Sequence, residues 1–175
     1  MTAGRERPSR RPGVPGVPGA AGADRGAVAG LLGREPAGAF AVVVVRPDGT
    51  PSVIANAPFL DDGTPMPTRY WLVDPVLRDA VAALEAAGGV RRAEEAVEPA
   101  ALAAAHARYA SQRDALVPES HRGPRPTGGV GGTRRGVKCL HAHLAWWLVG
   151  GDDPVGQWVA ERLGVDRTAR AGSGA

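Results

Sequence analysis

The sequence predicts an α+β domain in which a small antiparallel sheet, a hairpin plus a third short strand, packs with three to four helices. Three observations carry that prediction. A β-branched run ends at the turn residues Pro47-Asp48-Gly49 and an extended pattern resumes beyond them, which is the signature of a hairpin. Beyond residue 75 apolar residues recur at helical spacing in stretches that begin at Pro75, Pro99 and Pro154. The chain has 175 residues, enough for one core, and its large core formers are few: Phe40, Phe59, Tyr70, Trp71, Tyr109, Trp146, Trp147 and Trp158.

Residues 1–22 are Arg, Pro and Gly with little to bury, so they predict a disordered basic tail. The single domain spans residues 23–165 and opens with a short helix from Asp24 to Gly33, stopped by Pro36. The hairpin strands follow at Ala39 to Val45 and Ser52 to Ala55. Val42 to Val45 is apolar at consecutive positions, which predicts a strand covered on both faces. A proline-stiffened loop, Asp61 to Thr68, leads to a third strand at Tyr70 to Val73. A helix from Pro75 puts Val76, Leu77, Ala80, Val81 and Leu84 on one face until Gly88-Gly89 ends it. The next, Pro99 to about Leu116, buries Leu102, Ala105, Tyr109 and Leu116. Residues 118–135 predict a flexible Gly/Arg-rich loop, followed by helices from about Val137 to Val149 and from Pro154 to Leu163. Residues 166–175 are expected to fray.

The formal charge of +3 is unevenly placed. Arg5, Arg7, Arg10 and Arg11 stand against Glu6 in the tail, and Arg122, Arg125, Arg134, Arg135 and Lys138 stand against Glu119 in the second basic stretch. The tail therefore offers a docking surface for nucleic acid or protein, although nucleic acid is the less favoured partner. Cys139 is the only cysteine, which excludes an intramolecular disulfide and fits a reducing compartment. The twin arginine Arg10-Arg11 is followed by Pro12 rather than an apolar signal core, and no run approaches the ~18 apolar residues of a membrane span. The expected location is the cytoplasm, with no membrane partner.

The most unusual chemistry lies in Gly136 to His143, which holds the sole lysine, the sole cysteine and half of the histidines. On a helix Leu140, Leu144, Trp147 and Leu148 form the buried stripe, Cys139 and His143 share one flank, and His141 lies on the other. Cys139 beside Lys138 in a first helical turn is disposed toward thiolate, a nucleophile that His143 or His141 would serve as base. Cys139 with His143 offers two ligands to a zinc-type ion, and a stable site needs three or four. The plainer alternative is a buried small thiol flanked by amphipathic histidines.

The glycine-rich run from Gly128 through Gly131 and Gly132 leads into that helix, where backbone amides, a helix start, Arg134, Arg135 and Lys138 converge. This is an anion-site pattern without the Gly-Lys-Ser/Thr ending of a P-loop. Asp62 and Thr68 of the rigid loop complete the expected ligand set. The alternative for the glycine run is a linker with solvated arginines.

Four segments resemble one known family: Leu32-Gly33-Arg34, Asp62 to Thr68 with Tyr70-Trp71-Leu72, Val137 to Ala142, and Asp153-Pro154-Val155-Gly156. In that order, over roughly residues 28–163, the chain resembles the actinobacterial domain-of-unknown-function family 501. The resemblance implies a bacterial cytosolic setting and assigns no activity. Members often carry one cysteine in the hairpin turn and another before the proline that follows the third strand. This chain has Arg46 and Asp74 there, which removes ligands that a cysteine-rich metal site would use.

The leading functional expectation is a cytosolic binding protein for a phosphorylated or other anionic small ligand at residues 128–143. The rivals are an enzyme, hydrolase or transferase, working through Cys139 with His141 or His143 or through a metal, and a docking module using the basic tail. Sequence alone names neither cofactor nor oligomeric state.

Overall fold

A computed structural model of the chain describes residues 22–167 and has the expected α+β architecture. Its sheet is antiparallel in the order β1-β2-β3, with β1 at Phe40–Val45, β2 at Pro51–Asn56 and β3 at Tyr70–Leu72. Six α-helices surround it among the described residues: α1 Gly22–Leu32, α2 Pro75–Ala86, α3 Gly89–Ala96, α4 Pro99–Asp114, α5 Leu140–Leu148 and α6 Pro154–Leu163. The segment expected as a basic tail lies outside the described residues except for Gly22, and of the expected C-terminal tail only Asp166 and Arg167 are described.

The hairpin closes because Asp48 accepts the backbone N–H of Thr50 at 2.9 Å and Gly49 donates to the carbonyl of Arg46. Val42 pairs with Ile54 and Val44 with Val53, so Val43 is an extra residue in β1 and the strand bulges. Two-face burial belongs to β2, not to the valine run. All of β2 is buried, whereas Val42, Val43 and Val45 are half-buried. The reason is position: β2 is central, while β1 is an edge strand paired on one side only.

Asp74 ends the sheet and starts the next layer. Its carboxylate accepts the N–H groups of Val76 and Leu77, and Pro75 occupies the first helical position, where no donor is needed. Val76 does not join the buried face of α2. It is 61% exposed, because it sits about 100° around the helix from Leu77. Gly88, at φ +80°, turns the chain directly into α3 rather than into a loop. Gly89 then passes so close to the carbonyl of Leu84 that a Cβ would lie 2.4 Å from its oxygen. With four charged residues in eight, α3 carries too short an apolar stripe to stand out in the sequence.

Along α4 the buried residues are Leu102, Ala105, His106, Tyr109 and Arg113, a single stripe at helical spacing. Arg113 is the unexpected member. Only 2% exposed, it donates to the carbonyls of Pro67, Pro126, Thr127 and Gly128 and pairs with Asp114 at 2.8 Å. One buried cation thus anchors the segment after α4, which contains a 3-10 turn at Val130–Gly132.

The central helix is α5, buried nearly all round and packed on α6, β3 and α2. Trp146, 1% exposed, takes the deep position expected of its half-buried neighbour Trp147. The helix begins three residues later than the periodicity suggested. Cys139 is its N-cap, with extended backbone at φ −155° and ψ 120°. Where α5 meets α6, a Cβ on Gly156 would lie 2.5 Å from the carbonyl oxygen of His143, so a side chain there would force the helices apart. No helix among the described residues is long and apolar enough to cross a membrane.

Candidate functional site

Four backbone amides of the glycine-rich segment are engaged, three within the segment and one with α4. Gly129 donates to Thr133, Gly132 to Gly129, Thr133 to Val130, and Val130 to Nδ1 of His106 at 3.1 Å. Such amides are not free to cradle an anion. His106, in accepting at Nδ1, carries its proton on Nε2 and donates to the carbonyl of Gly136 at 3.0 Å. Burial holds its pKa below the ordinary value, against the raising effect of that carbonyl. Arg134 and Arg135 line a hollow of about 240 Å³ with His106, Glu94 and Gly136, and Lys138 is an exposed side chain outside it. Gly131 and Gly132 shape the turn with φ of +66° and +75°. Asp62 is exposed and accepts the N–H of Thr64 at 2.8 Å, which lowers its pKa.

His143 is also occupied elsewhere. Buried, it donates Nδ1–H to the carboxylate of Asp153 at 2.8 Å, and the same carboxylate caps α6 through Val155 and Gly156. The pair joins α5 to α6 in the interior. Because the backbone of Cys139 is extended rather than helical, its sulfur lies beside His141, not on a shared flank with His143.

At that point the start of α5 meets α2. Nδ1 of His141 lies 3.7 Å from Sγ of Cys139 and 3.3 Å from Oε1 of Glu85, in the last turn of α2. Nε2 of His141 faces the carbonyl oxygen of Arg78 at 3.1 Å. A carbonyl only accepts, so Nε2 carries hydrogen and Nδ1 is the atom turned toward sulfur and carboxylate. Arg78 and Glu85 are seven residues apart on α2, which puts both on one face about two turns apart. Glu85 also accepts the N–H of Leu140 at 2.6 Å, so it fills the positive end of α5 that the sequence offered to an external anion. The hydrogen bond to Cys139 raises the pKa of His141 to about 9; burial opposes this, and the charge of Glu85 and the Arg78 carbonyl add to it.

Two of the trio, Cys139 and His141, stand at a cleft of about 440 Å³, the size of a small-molecule site. Cys139 and His141 line it with Arg34, Arg78, Thr68 and Trp71. The guanidinium of Arg34 stacks on the ring of Trp71 at 5.3 Å. Of the residues singled out in the sequence, the cleft therefore gathers Cys139, His141 and Thr68, and leaves out His143, Asp62 and Lys138. Glu85 and Arg78 went unread because nothing local shows that α2 lies against α5. Arg34 was visible only as part of the first resembling segment.

The three candidate ligand atoms of Glu85, Cys139 and His141 lie within 4.8 Å of one another. A tetrahedral zinc-type ion, with bonds of about 2.3 Å to sulfur and about 2.0 to 2.1 Å to nitrogen and oxygen, separates sulfur from nitrogen by roughly 3.6 Å and nitrogen from oxygen by roughly 3.3 Å. The corresponding separations in the structure are 3.7 and 3.3 Å.

A family model described as "Protein of unknown function (DUF501)" matches residues 42–161. The chain belongs to the DUF501 family. The matched span runs from β1 to α6 and holds Thr68, Arg78, Glu85, Cys139 and His141, with Arg34 ahead of it. No curated protein and no solved structure matches the chain. In this DUF501 member the two positions where the resemblance places cysteines face each other. Arg46 and Asp74 form an ion pair at 3.5 Å, linking the hairpin turn to the start of α2.

Proposed function

We propose that this DUF501 protein is a metal-dependent enzyme, hydrolytic in type, with Glu85, Cys139 and His141 as the three protein ligands of a zinc-class divalent cation. The observation that carries the reading is the clustering of the three donor atoms within 4.8 Å, with 3.7 Å for sulfur to nitrogen and 3.3 Å for nitrogen to oxygen close to tetrahedral values. Support comes from the partner of His141: an imidazole that gives its far N–H to a backbone carbonyl presents its other nitrogen in a fixed direction, the usual arrangement around a metal-bound histidine. Three protein ligands leave a fourth position for water, and a zinc-class ion lowers the pKa of such water to about 7, producing hydroxide at neutral pH.

The test is cobalt substitution. Metal-free protein titrated with Co(II) should take up one equivalent, with a thiolate-to-cobalt absorption band that disappears in Cys139→Ser and visible bands that weaken in His141→Ala. Loaded protein should hydrolyse p-nitrophenyl esters faster than the Cys139→Ser variant. Absence of the charge-transfer band would discard the metal centre.

The 3.7 Å contact also favours a second reading, in which Cys139 is the nucleophile and His141 holds the imidazolium beside it. Rapid alkylation of Cys139 in metal-free protein near neutral pH, slowed by His141→Gln, together with no cobalt band, would select it.

A further inference from the structure

Two cations in the cleft have no acidic partner. Arg34 is exposed and touches Trp71 through its guanidinium, and Arg78 donates NH1 to the carbonyl of Leu31 at 2.9 Å, yet neither forms an ion pair with a carboxylate among the described residues. Other arginines do carry such a partner: Arg25 pairs with Glu35, Arg46 with Asp74, Arg91 with Glu95, Arg108 with Asp152, and Arg113 with Asp114. The carboxylate beside His141, that of Glu85, does not line the cleft and already accepts from Leu140. The cleft therefore has positive charge left over at its wall and an apolar lining from Leu32, Trp71, Leu72 and Ala142.

We propose that the substrate of this site is an oxyanion, a carboxylate or a phosphate monoester, attached to a small apolar or planar body, with Arg34 and Arg78 holding the oxyanion and Trp71 and its apolar neighbours holding the body. The inference takes the reacting centre from the reading above and adds what is bound beside it. Guanidinium groups suit this work because their planar donor forks match the paired oxygens of carboxylate and phosphate. The bond from Arg78 to Leu31 leaves its remaining donors in a restricted set of directions, which reduces the ordering needed on binding. Both cations line the cleft together with Thr68, whose hydroxyl adds a neutral donor. The anion site thus lies at the α1–α2 side of the cleft, not at the glycine-rich segment.

Calorimetric titration of the full chain, metal-free and cobalt-loaded, with phenyl phosphate, phenylacetate and the neutral benzyl alcohol tests this. Both anions should bind at least tenfold more tightly than the alcohol, more weakly as salt is added, and the stronger of the two identifies the head group. Arg34→Gln, an exposed change that leaves the core untouched, should lose roughly tenfold in anion affinity and leave the alcohol unchanged; Arg78→Gln should do the same. Equal binding of anions and alcohol, or unchanged anion affinity in Arg34→Gln with the fold intact by circular dichroism, overturns the proposal. Cobalt uptake without anion preference overturns it and spares the metal centre, whereas anion preference without cobalt uptake supports the oxyanion site and removes the metal reading alone.

Discussion

Glu85 Oε1 accepts the backbone N–H of Leu140 at 2.6 Å, so the last turn of α2 supplies the cap that Cys139, the N-cap residue of α5, does not provide with its own side chain. A carboxylate near the end of α2 is unfavourable for α2 itself and favourable for the start of α5, and the second effect is reinforced by His141. Replacing Glu85 by Ala should cost about 1 to 2 kcal/mol in urea denaturation, the usual range for a lost cap, while Glu85→Gln keeps a side-chain acceptor and costs less. Both variants should bind cobalt more weakly, which separates capping from ligation.

Asp153 has three duties at once: it receives Nδ1–H of His143 and the N–H groups of Val155 and Gly156, all in the interior. Asp153→Ala strands a buried imidazole and two helix-end donors. The expected loss is about 3 to 5 kcal/mol by chemical denaturation. Asp153→Asn retains an acceptor and should lose less.

Arg113→Met removes the donor group that holds the carbonyls of Pro126, Thr127 and Gly128 while keeping much of the apolar stem. Global stability should fall by about 2 to 4 kcal/mol. The local readout is sharper: hydrogen exchange should accelerate at Val130, whose amide donates to His106, and at Gly132, whose amide is bonded within the anchored turn.

His141 and His106 give stability opposite pH dependences in metal-free protein. The pKa of His141 is raised from 6.5 to about 9, so its contribution is complete below 6.5 and is lost as pH rises through about 9. His106 is lowered from 6.5 by burial, so its contribution is complete above 6.5 and is lost as pH falls below that value. Urea midpoints measured across pH should lose their alkaline decline in His141→Gln and flatten on the acid side in His106→Gln.

The Arg46–Asp74 pair is unequal. Arg46 is 38% exposed on its side chain and its charge is screened by water, whereas Asp74 is buried and caps α2. Arg46→Ala should cost no more than about 1 kcal/mol, and Asp74→Ala about 1 to 2 kcal/mol, in the same denaturation assay.

These residues also show what a sequence makes visible. The hairpin was legible because its cause is local: Asp48 and Gly49 close the turn within five residues. The starts of α2 and α6 were legible for the same reason, since Pro75 and Pro154 each follow a capping aspartate. The start of α5 was not, because its cap comes from Glu85, 55 residues earlier. That displacement of three residues moved Cys139 off the helix and changed its neighbour from His143 to His141. Arg113 drew no reading at all, because the four carbonyls that surround it come from two segments distant in sequence. The glycine-rich run suggested open amides, and only the position of His106 on α4 shows that Val130 donates inward.

The meeting of α2 with α5 has a consequence for biosynthesis. Glu85 leaves the ribosome well before Cys139 and His141, so its carboxylate is made while the later residues are still to come. A solitary carboxylate grips no transition metal. On the proposed metal reading, thiol and imidazole join it only once α5 has packed on α2, so cobalt colour would serve as a stopwatch for the final stage of maturation.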